Sequence, residues 1–305
     1  MLKAILKKTL GKDFKDFQQI FEGYDNEVYE ITTEKSELLI LRLSKGGNTP
    51  FLQESWAIEQ CRKVGVPVPE ILFCGDWEEE ENLQEVMIQK RVSGDSLNKI
   101  LPKLSTLQRE KICVEIGEVL QKIHSISVEG FYKRQYDGTW DFPDWESIQK
   151  SHISARTTEM PIIWELGFSK AETDQILDWM RLNSEQFAWK NPVLCHGDFM
   201  PRHIFVTESG NLSGIIDFGS FQGGAPLLDF VLFANHSTDI LPEELLKGYP
   251  LPFPKEEFLL RLHLQGIGMH IGYLAYLIQQ KKQTRDRVDS EKITRIFSLS
   301  ADRTL

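Results

Sequence analysis

The segment from Val193 to Gly219 constrains the fold more than any other part of the chain. Its two short apolar stretches, HIFVT and SGIID, are separated by the polar tetrapeptide ESGN, a pattern that predicts an antiparallel β-hairpin. In this hairpin we expect His203 to lie opposite Asp217, with Cβ atoms about 5 Å apart. Asp198 lies on the loop that enters the hairpin. The sequence therefore predicts three polar side chains at one end of an otherwise apolar ribbon.

Such a cluster suits phosphoryl transfer. The reaction needs a carboxylate that accepts or orients the proton of an acceptor hydroxyl, and ligands for a Mg²⁺ ion that bridges phosphates. Asp198 is the candidate for the first task, and His203 and Asp217 are close enough to share one metal ion. The pattern therefore predicts a phosphoryl-transfer site within this single segment.

Residues 1–94 and residues 95–305 follow different patterns. In the first part the apolar runs are typical of strands, apart from one segment with helical spacing at 50–65. In the second part most apolar residues have helical spacing, which predicts that residues 140–190 are helical, and a strand-rich segment interrupts the pattern at 192–217. This order predicts an α+β protein of two lobes, with the boundary between residues 94 and 95.

Composition excludes several classes of protein. With 41% hydrophobic residues the chain can bury a sizeable core, and its net charge of −10 argues against a nucleic-acid partner. The opening segment lacks the sustained apolar region of a secretory signal, and no stretch has the roughly 20 apolar residues of a membrane span. The scattered cysteines suit neither a zinc site nor a disulfide framework. We expect a cytoplasmic protein that binds neither nucleic acid nor membranes.

The cluster also carries a family resemblance. His196-Gly197-Asp198, followed by His203 and then by IDFG at 216–219, resembles the catalytic loop and the metal-binding Asp of the aminoglycoside phosphotransferase family. The resemblance implies a two-lobed protein-kinase-like fold with a β-rich N-terminal lobe and a helical C-terminal lobe. It also implies Mg²⁺, ATP or GTP as phosphate donor, and a small hydroxylated acceptor such as an aminoglycoside or a related antibiotic.

The resemblance extends to other regions of the chain. It implies that residues 193–219 hold the catalytic loop and that helices within 130–190 and 230–285 bind the substrate. The implied nucleotide site combines a phosphate-facing loop, an ion pair and a hinge whose backbone binds the base. Its residues are Gly23 and Asn26 in the loop, Arg42 and Glu54 in the ion pair, and Gln89, Lys90 and Arg91 in the hinge.

Two positions depart from the family pattern. His203 stands where most members have Asn as the second metal ligand, as it does in macrolide kinases and in aminoglycoside kinases that act on a 2''-hydroxyl. Ala225 stands where the family's G-D-P-x-x-D stretch has its first Asp, although Pro226 and Asp229 are kept. That Asp helps to brace the catalytic loop in the family. Its replacement by Ala225 leaves open to which branch of the family the chain is most similar.

The remaining histidines of interest are expected to be structural. His196 should pack and form hydrogen bonds beneath the catalytic loop rather than act as a base. His124, His263 and His270 lie on apolar helical faces, which favours core or surface positions over metal binding.

Several functions stay open from the sequence. Besides an aminoglycoside, the acceptor can be a macrolide or a metabolite such as choline, homoserine or a glycated amine of the fructosamine type. Clustering of carboxylates such as Asp141, Asp144, Glu146 and Glu165 would favour a polyamine sugar, whereas a broad aromatic pocket would favour a macrolide. A nucleotide-binding module without catalysis conflicts with the intact carboxylates of the predicted site. A metal-dependent hydrolase would need further His or Asp ligands, and none appear in the sequence at plausible spacing.

Overall fold

The structure, a computed structural model, describes residues 1–21, 26–45, 50–79, 82–237 and 239–284. The helices are α1 (Leu2–Leu10), α2 (Phe51–Lys63), α3 (Leu97–Ile100), α4 (Thr106–His124), α5 (Trp145–Trp164), α6 (Lys170–Gln186), α7 (Leu227–His236) and α8 (Lys255–Thr284). The strands are β1 (Phe14–Ile20), β2 (Asn26–Thr33), β3 (Leu38–Ser44), β4 (Ile71–Glu79), β5 (Asn82–Lys90), β6 (Asp95–Ser96), β7 (Phe131–Arg134), β8 (Trp140–Phe142), β9 (Val193–Cys195), β10 (Ile204–Val206), β11 (Leu212–Ile215) and β12 (Gln222–Gly224). Short 3-10 helices span Leu101–Lys103, Pro201–His203, Phe218–Ser220 and Pro242–Lys247.

The apolar sequence of β3, LLILRLS, places this strand at the centre of a sheet. Across the described residues, five strands form an antiparallel sheet in the order β1-β2-β3-β5-β4. Successive side chains of a strand alternate between faces, so Leu39, Leu41 and Leu43 share one face, where they are buried with apolar residues of α1. Burial of each such side chain contributes roughly 1.5–3 kcal/mol. Arg42 therefore lies on the opposite face.

The helix predicted at residues 50–65 is present as α2. Pro50 precedes its first turn, and Gly65 follows its end with a left-handed φ of 77°. The buried face of α2 includes Ala57, Ile58 and Glu54. Because Glu54 is only 1% exposed, its carboxylate requires a charged or hydrogen-bonding partner.

Two elements near the N-terminus were missed by the sequence analysis, and one region was assigned incorrectly. Residues 15–18 of β1 are exposed, so this strand lacks the apolar alternation of a half-buried strand. The short amphipathic helix α1 was also not predicted. The region 140–190, predicted to be helical, begins with β8 before α5 and α6 follow.

The chain divides into two compact units, which are described separately. The first comprises the described parts of residues 1–129, 133–141 and 192–250 and holds the five-stranded sheet, α2, α4 and the segment 193–219. The second comprises the described parts of 130–132, 142–191 and 251–305. Its helices α5, α6 and α8 pack around Met160, Ile163, Leu177, Met180, Ile271, Leu274 and Ala275. The lobe boundary between residues 94 and 95 stays a prediction. Within the described ranges, no helix combines the length and apolarity needed to cross a membrane.

The predicted hairpin is present as β10 and β11, but its register differs from the prediction. Ile204 pairs with Ile215, and the amide of Ile216 donates to the carbonyl oxygen of His203 at 3.0 Å. The expected pairing of His203 with Asp217 is therefore wrong by one residue. The turn is tighter than predicted: pairing of His203 with Asp217 would place Thr207 opposite Ser213, but Thr207 lies opposite Asn211. A register shift between Phe205 and Val206 recovers one of these two residues. The apolar alternation could not predict this, because it does not specify the length of the turn.

Candidate active site

Asp198, His203 and Asp217 come together despite the shifted register. Nε2 of His203 lies 3.4 Å from Oδ2 of Asp217, and Nδ1 of His203 lies 3.5 Å from Oδ2 of Asp198. One possible ligand atom from each residue lies within 4.8 Å of the others. The three side chains that the sequence singled out therefore share one small volume.

The backbone conformation at Asp217 brings its carboxylate into this volume. Asp217 has a φ of 66°, in the left-handed region. A residue other than glycine is uncommon there and is held in place only by the surrounding structure. His203 is the last residue of the 3-10 helix Pro201–His203.

Gly197 allows the loop before Asp198 to approach the backbone that follows Asp217. Its φ is 77°, and a Cβ atom at this position would lie 1.9 Å from the carbonyl oxygen of Ser220. Only glycine combines this conformation with so close a backbone approach. The close contact between the two backbone segments therefore requires glycine at position 197.

The hydrogen bonds of His203 define its tautomer. Nδ1 lies 2.9 Å from the carbonyl oxygen of Asp198, so this nitrogen carries the proton. Nε2 therefore has a lone pair, which accepts a hydrogen bond from Nε of Arg202 at 3.0 Å. Nη2 of Arg202 lies 3.5 Å from Oδ2 of Asp198. The sequence analysis did not identify Arg202.

The donor atoms of this cluster fit a divalent cation. Carboxylate oxygens are the ligands that Mg²⁺ prefers, while an imidazole nitrogen suits ions such as Mn²⁺. Burial alone would raise the pKa of Asp217, but positive charge around it, that of a protonated His203 ring and the permanent charges of Arg42 and Arg202, lowers it below its ordinary value. The Asp217 carboxylate is therefore ionised and able to bind a cation.

A buried ion pair connects the sheet and α2 to the same cluster. Nη1 of Arg42 lies 2.5 Å from Oε1 of Glu54, and Nη2 of Arg42 lies 3.7 Å from Oδ1 of Asp217. Burial alone would lower the pKa of the Arg42 guanidinium, but the carboxylates of Glu54 and Asp217 raise it. Arg42 is thus a fixed positive charge beside the candidate metal ligands.

Asp229, at the start of α7, holds the first residues of the catalytic loop. Its carboxylate accepts hydrogen bonds from the amides of His196 at 2.8 Å and Gly197 at 2.9 Å. Ala225, which replaces the family's first Asp, leaves this brace in place.

His124, on α4, extends the brace into the core. Its Nε2 lies 3.0 Å from Oδ2 of Asp229, and its Nδ1 lies 3.1 Å from the hydroxyl of Tyr249. His124 is buried, so of the core and surface positions left open for it the structure shows the core position. Its link to the loop could not be predicted, because its partners lie 105 and 125 residues away in the sequence.

His196 connects the backbone of Asp198 to the backbone of Ile216, the residue before Asp217. Its Nε2 donates to the carbonyl oxygen of Ile216 at 3.0 Å, and its Nδ1 accepts from the amide of Asp198 at 3.2 Å. Burial lowers the pKa of His196, and a neutral ring supplies the one donor and one acceptor that these bonds require. The structural role expected for His196 is confirmed.

The predicted phosphate-facing loop is described only in part. Gly23 lies outside the described residues. Asn26 is the first residue of β2, where it lies opposite Ser44 of β3. A contact of either residue with phosphate stays a prediction.

The predicted hinge forms the end of β5. Gln89 is buried opposite Ile40 of β3, so its side chain shares the sheet face of Arg42. The amides of Lys90 and Arg91 donate to backbone carbonyl oxygens at 2.9 and 3.1 Å. These two amides are therefore engaged in backbone pairing, and base binding by the segment stays a prediction.

Kinase-like phosphotransferases combine an Arg or Lys fixed by a helix carboxylate, a loop carboxylate for the acceptor, and a second carboxylate for the metal. This chain is a phosphotransferase of that class. The sequence model of the phosphotransferase enzyme family matches residues 16–250, so the chain belongs to this family. The expected family and the α+β, protein-kinase-like fold are thereby confirmed.

Solved structures with the same fold include aminoglycoside kinases. A thermostable mutant of aminoglycoside phosphotransferase APH(4)-Ia in its apo form has a TM-score of 0.70 at 18% identity, over 98% of this chain and 98% of that chain. The GDP and kanamycin complex of APH(2")-IIia has a TM-score of 0.64 at 14% identity, over 99% and 97%. A proposed fructosamine-3-kinase from Thermobifida fusca YX-ER1 has a TM-score of 0.62 at 13% identity, over 90% and 92%. At these identities the likeness establishes the fold alone.

Proposed function

We propose that this protein transfers the γ-phosphate of ATP or GTP to a hydroxyl of an aminoglycoside or a related antibiotic, with Mg²⁺ as the metal. The observation that carries the proposal is the convergence of Asp198, His203 and Asp217 beside the buried pair of Arg42 and Glu54. Phosphoryl transfer requires this combination of an acceptor carboxylate, metal ligands and a fixed cation.

Each residue has a distinct task in the proposed reaction. Asp198 orients the acceptor hydroxyl and takes its proton as the new oxygen–phosphorus bond forms and the bond to the leaving nucleoside diphosphate breaks. Asp217 and His203 would hold the divalent ion, which supplies positive charge to the phosphate oxygens when bound. Arg42, fixed by Glu54, adds a second positive charge without having to reorganise.

The proposed donor and acceptor are supported by proteins of the same fold. APH(2")-IIia was solved with GDP and kanamycin, a nucleotide and an aminoglycoside together. A glycated amine is the second candidate acceptor, because a proposed fructosamine-3-kinase shares the fold.

Two of the four carboxylates that would favour a polyamine sugar form hydrogen bonds with the backbone of the protein itself. Asp144 caps α5 by accepting from the amide of Ser147 at 2.8 Å, and Asp141 accepts from the amide of Lys133 at 3.3 Å. The choice of acceptor therefore has to be tested by experiment.

The test is a phosphate-transfer assay with an acceptor panel. The purified protein is supplied with Mg²⁺ and labelled ATP or GTP, together with kanamycin, hygromycin B, erythromycin, choline, homoserine or fructosyl-lysine. We expect label on an aminoglycoside and none in the matched reaction with Asp198→Asn. Label on another acceptor alone would overturn the proposed substrate, and nucleotide binding without any transfer would overturn the proposed activity.

A further inference from the structure

Arg202 forms a hydrogen bond with the lone pair of His203 that a metal ion would need. Nδ1 of His203 is committed to the carbonyl oxygen of Asp198, so Nε2 is the ring atom available as a ligand. That atom accepts the hydrogen bond from Nε of Arg202 at 3.0 Å. An imidazole nitrogen has a single lone pair, so it cannot bind an N–H donor and a metal ion at the same time.

Arg202 also reaches the carboxylate assigned to the acceptor hydroxyl. Its Nη2 lies 3.5 Å from Oδ2 of Asp198. The guanidinium therefore places its positive charge among the same groups whose negative charge a divalent ion would neutralise. The Arg202 side chain is 53% exposed, so it can move toward solvent without breaking core packing.

We propose that Arg202 is a displaceable counter-cation, which competes with the divalent ion for His203 and so weakens the binding of metal in the absence of nucleotide. This inference rests on the proposed metal site at His203 and Asp217. A bound nucleotide offers phosphate oxygens, which are strong acceptors for a displaced guanidinium. Metal and nucleotide should therefore bind cooperatively, and Arg202 should be one source of the cooperativity.

Direct binding of Mn²⁺ to chelator-treated protein tests the competition. Mn²⁺ accepts imidazole ligands, and its free and bound forms are distinguished by electron paramagnetic resonance. The parent is compared with Arg202→Met, which keeps a long side chain but has no N–H donor. We expect Arg202→Met to bind Mn²⁺ alone about tenfold more tightly, since one charge-assisted hydrogen bond no longer competes for the ligand atom. With the ATP analogue AMP-PNP present, the difference should shrink or reverse.

Two controls separate this competition from a general effect of charge. Arg181→Met removes the same charge from an exposed position on α6, where Arg181 pairs with Asp178, and should leave Mn²⁺ affinity unchanged. Measurement in about 1 M KCl, where the Debye length is about 3 Å, suppresses repulsion through space but leaves competition for the lone pair. Equal Mn²⁺ affinity of the parent and Arg202→Met, or a gain that disappears in high salt, would overturn the inference.

Spin-echo measurement of nitrogen hyperfine coupling to Mn²⁺ distinguishes a failure of this inference from a failure of the proposed site. Coupling in Arg202→Met that is lost when His203→Asn is added identifies His203 as a ligand. If the coupling is present and the affinities are equal, only the role of Arg202 is wrong. If no coupling is found, His203 is not a ligand, and the proposed metal site is wrong together with this inference.

Discussion

Nε2 of His203 lies 3.4 Å from Oδ2 of Asp217, although the residue that pairs with His203 across the hairpin is Ile216. Strand pairing alone cannot produce this contact, because a shift of one residue turns a side chain to the other face of the ribbon. The left-handed conformation of Asp217, with a φ of 66°, ends the strand geometry and makes the approach possible. The separate roles of the clustered residues can be tested by substitution.

Asp198→Asn should lower phosphoryl transfer by about 100-fold or more and leave nucleotide affinity nearly unchanged. The amide keeps the size of the side chain but cannot take the proton of the acceptor hydroxyl. Single-turnover transfer and calorimetric titration with nucleotide measure the two effects. A variant that retained more than about a tenth of the parent rate would contradict the role given to Asp198.

Asp217→Ala should weaken the binding of the metal–nucleotide complex and lower turnover together, because the ionised carboxylate is the proposed metal anchor. The measurement is nucleotide affinity over a series of Mg²⁺ concentrations. Nucleotide affinity in the presence of EDTA is the control and should change little. An unaltered Mg²⁺ dependence would remove Asp217 from the metal site.

His203→Asn should shift metal preference toward Mg²⁺. An amide oxygen suits Mg²⁺ better than an imidazole nitrogen does, whereas Mn²⁺ accepts both. Turnover and nucleotide affinity are measured with each ion in turn, and the ratio of the Mn²⁺ to the Mg²⁺ value should fall. The same ratio in both proteins would show that His203 does not bind the metal.

His196→Phe should destabilise the protein although it preserves an aromatic ring. The ring of His196 packs 4.4 Å from that of Phe218, centroid to centroid, in a fully buried position that tolerates an apolar side chain. The carbonyl of Ile216 and the amide of Asp198 would lose their partners, at a cost of about 1–3 kcal/mol for each buried unpaired group. Urea unfolding measures the loss, and an unchanged free energy of unfolding would exclude this role.

Gly197→Ala should cost more stability than Gly65→Ala, which is its matched control. Both glycines have a φ of 77°, but a Cβ at Gly65 meets nothing within 4 Å, whereas at Gly197 it would lie 1.9 Å from the carbonyl oxygen of Ser220. The shared left-handed conformation costs about 1–2 kcal/mol. The additional crowding at Gly197 should add about 1–3 kcal/mol. Urea unfolding of the two variants tests the difference, and equal losses would show that the backbone approach is unimportant.

Local patterns were sufficient to predict the main elements around the site. The apolar run of β3 and the helical spacing of α2 placed Arg42 on a strand and Glu54 on the following helix. The alternation of residues 203–217 predicted the hairpin, although not the pairing of His203 with Ile216. β1 was missed because residues 15–18 are exposed, and an exposed strand carries little apolar signal.

The sequence by itself determined which residue types stand at each end of the hairpin, and hence the kind of chemistry that the chain can support. The tertiary structure alone decided how these residues meet. The left-handed turn at Asp217, the contact of Arg202 with His203 and the link from His124 to Asp229 depend on backbone geometry and on partners distant in sequence. The hydrophobic periodicity of a helix or strand indicates which of its faces is buried, but it does not indicate which other element packs against that face.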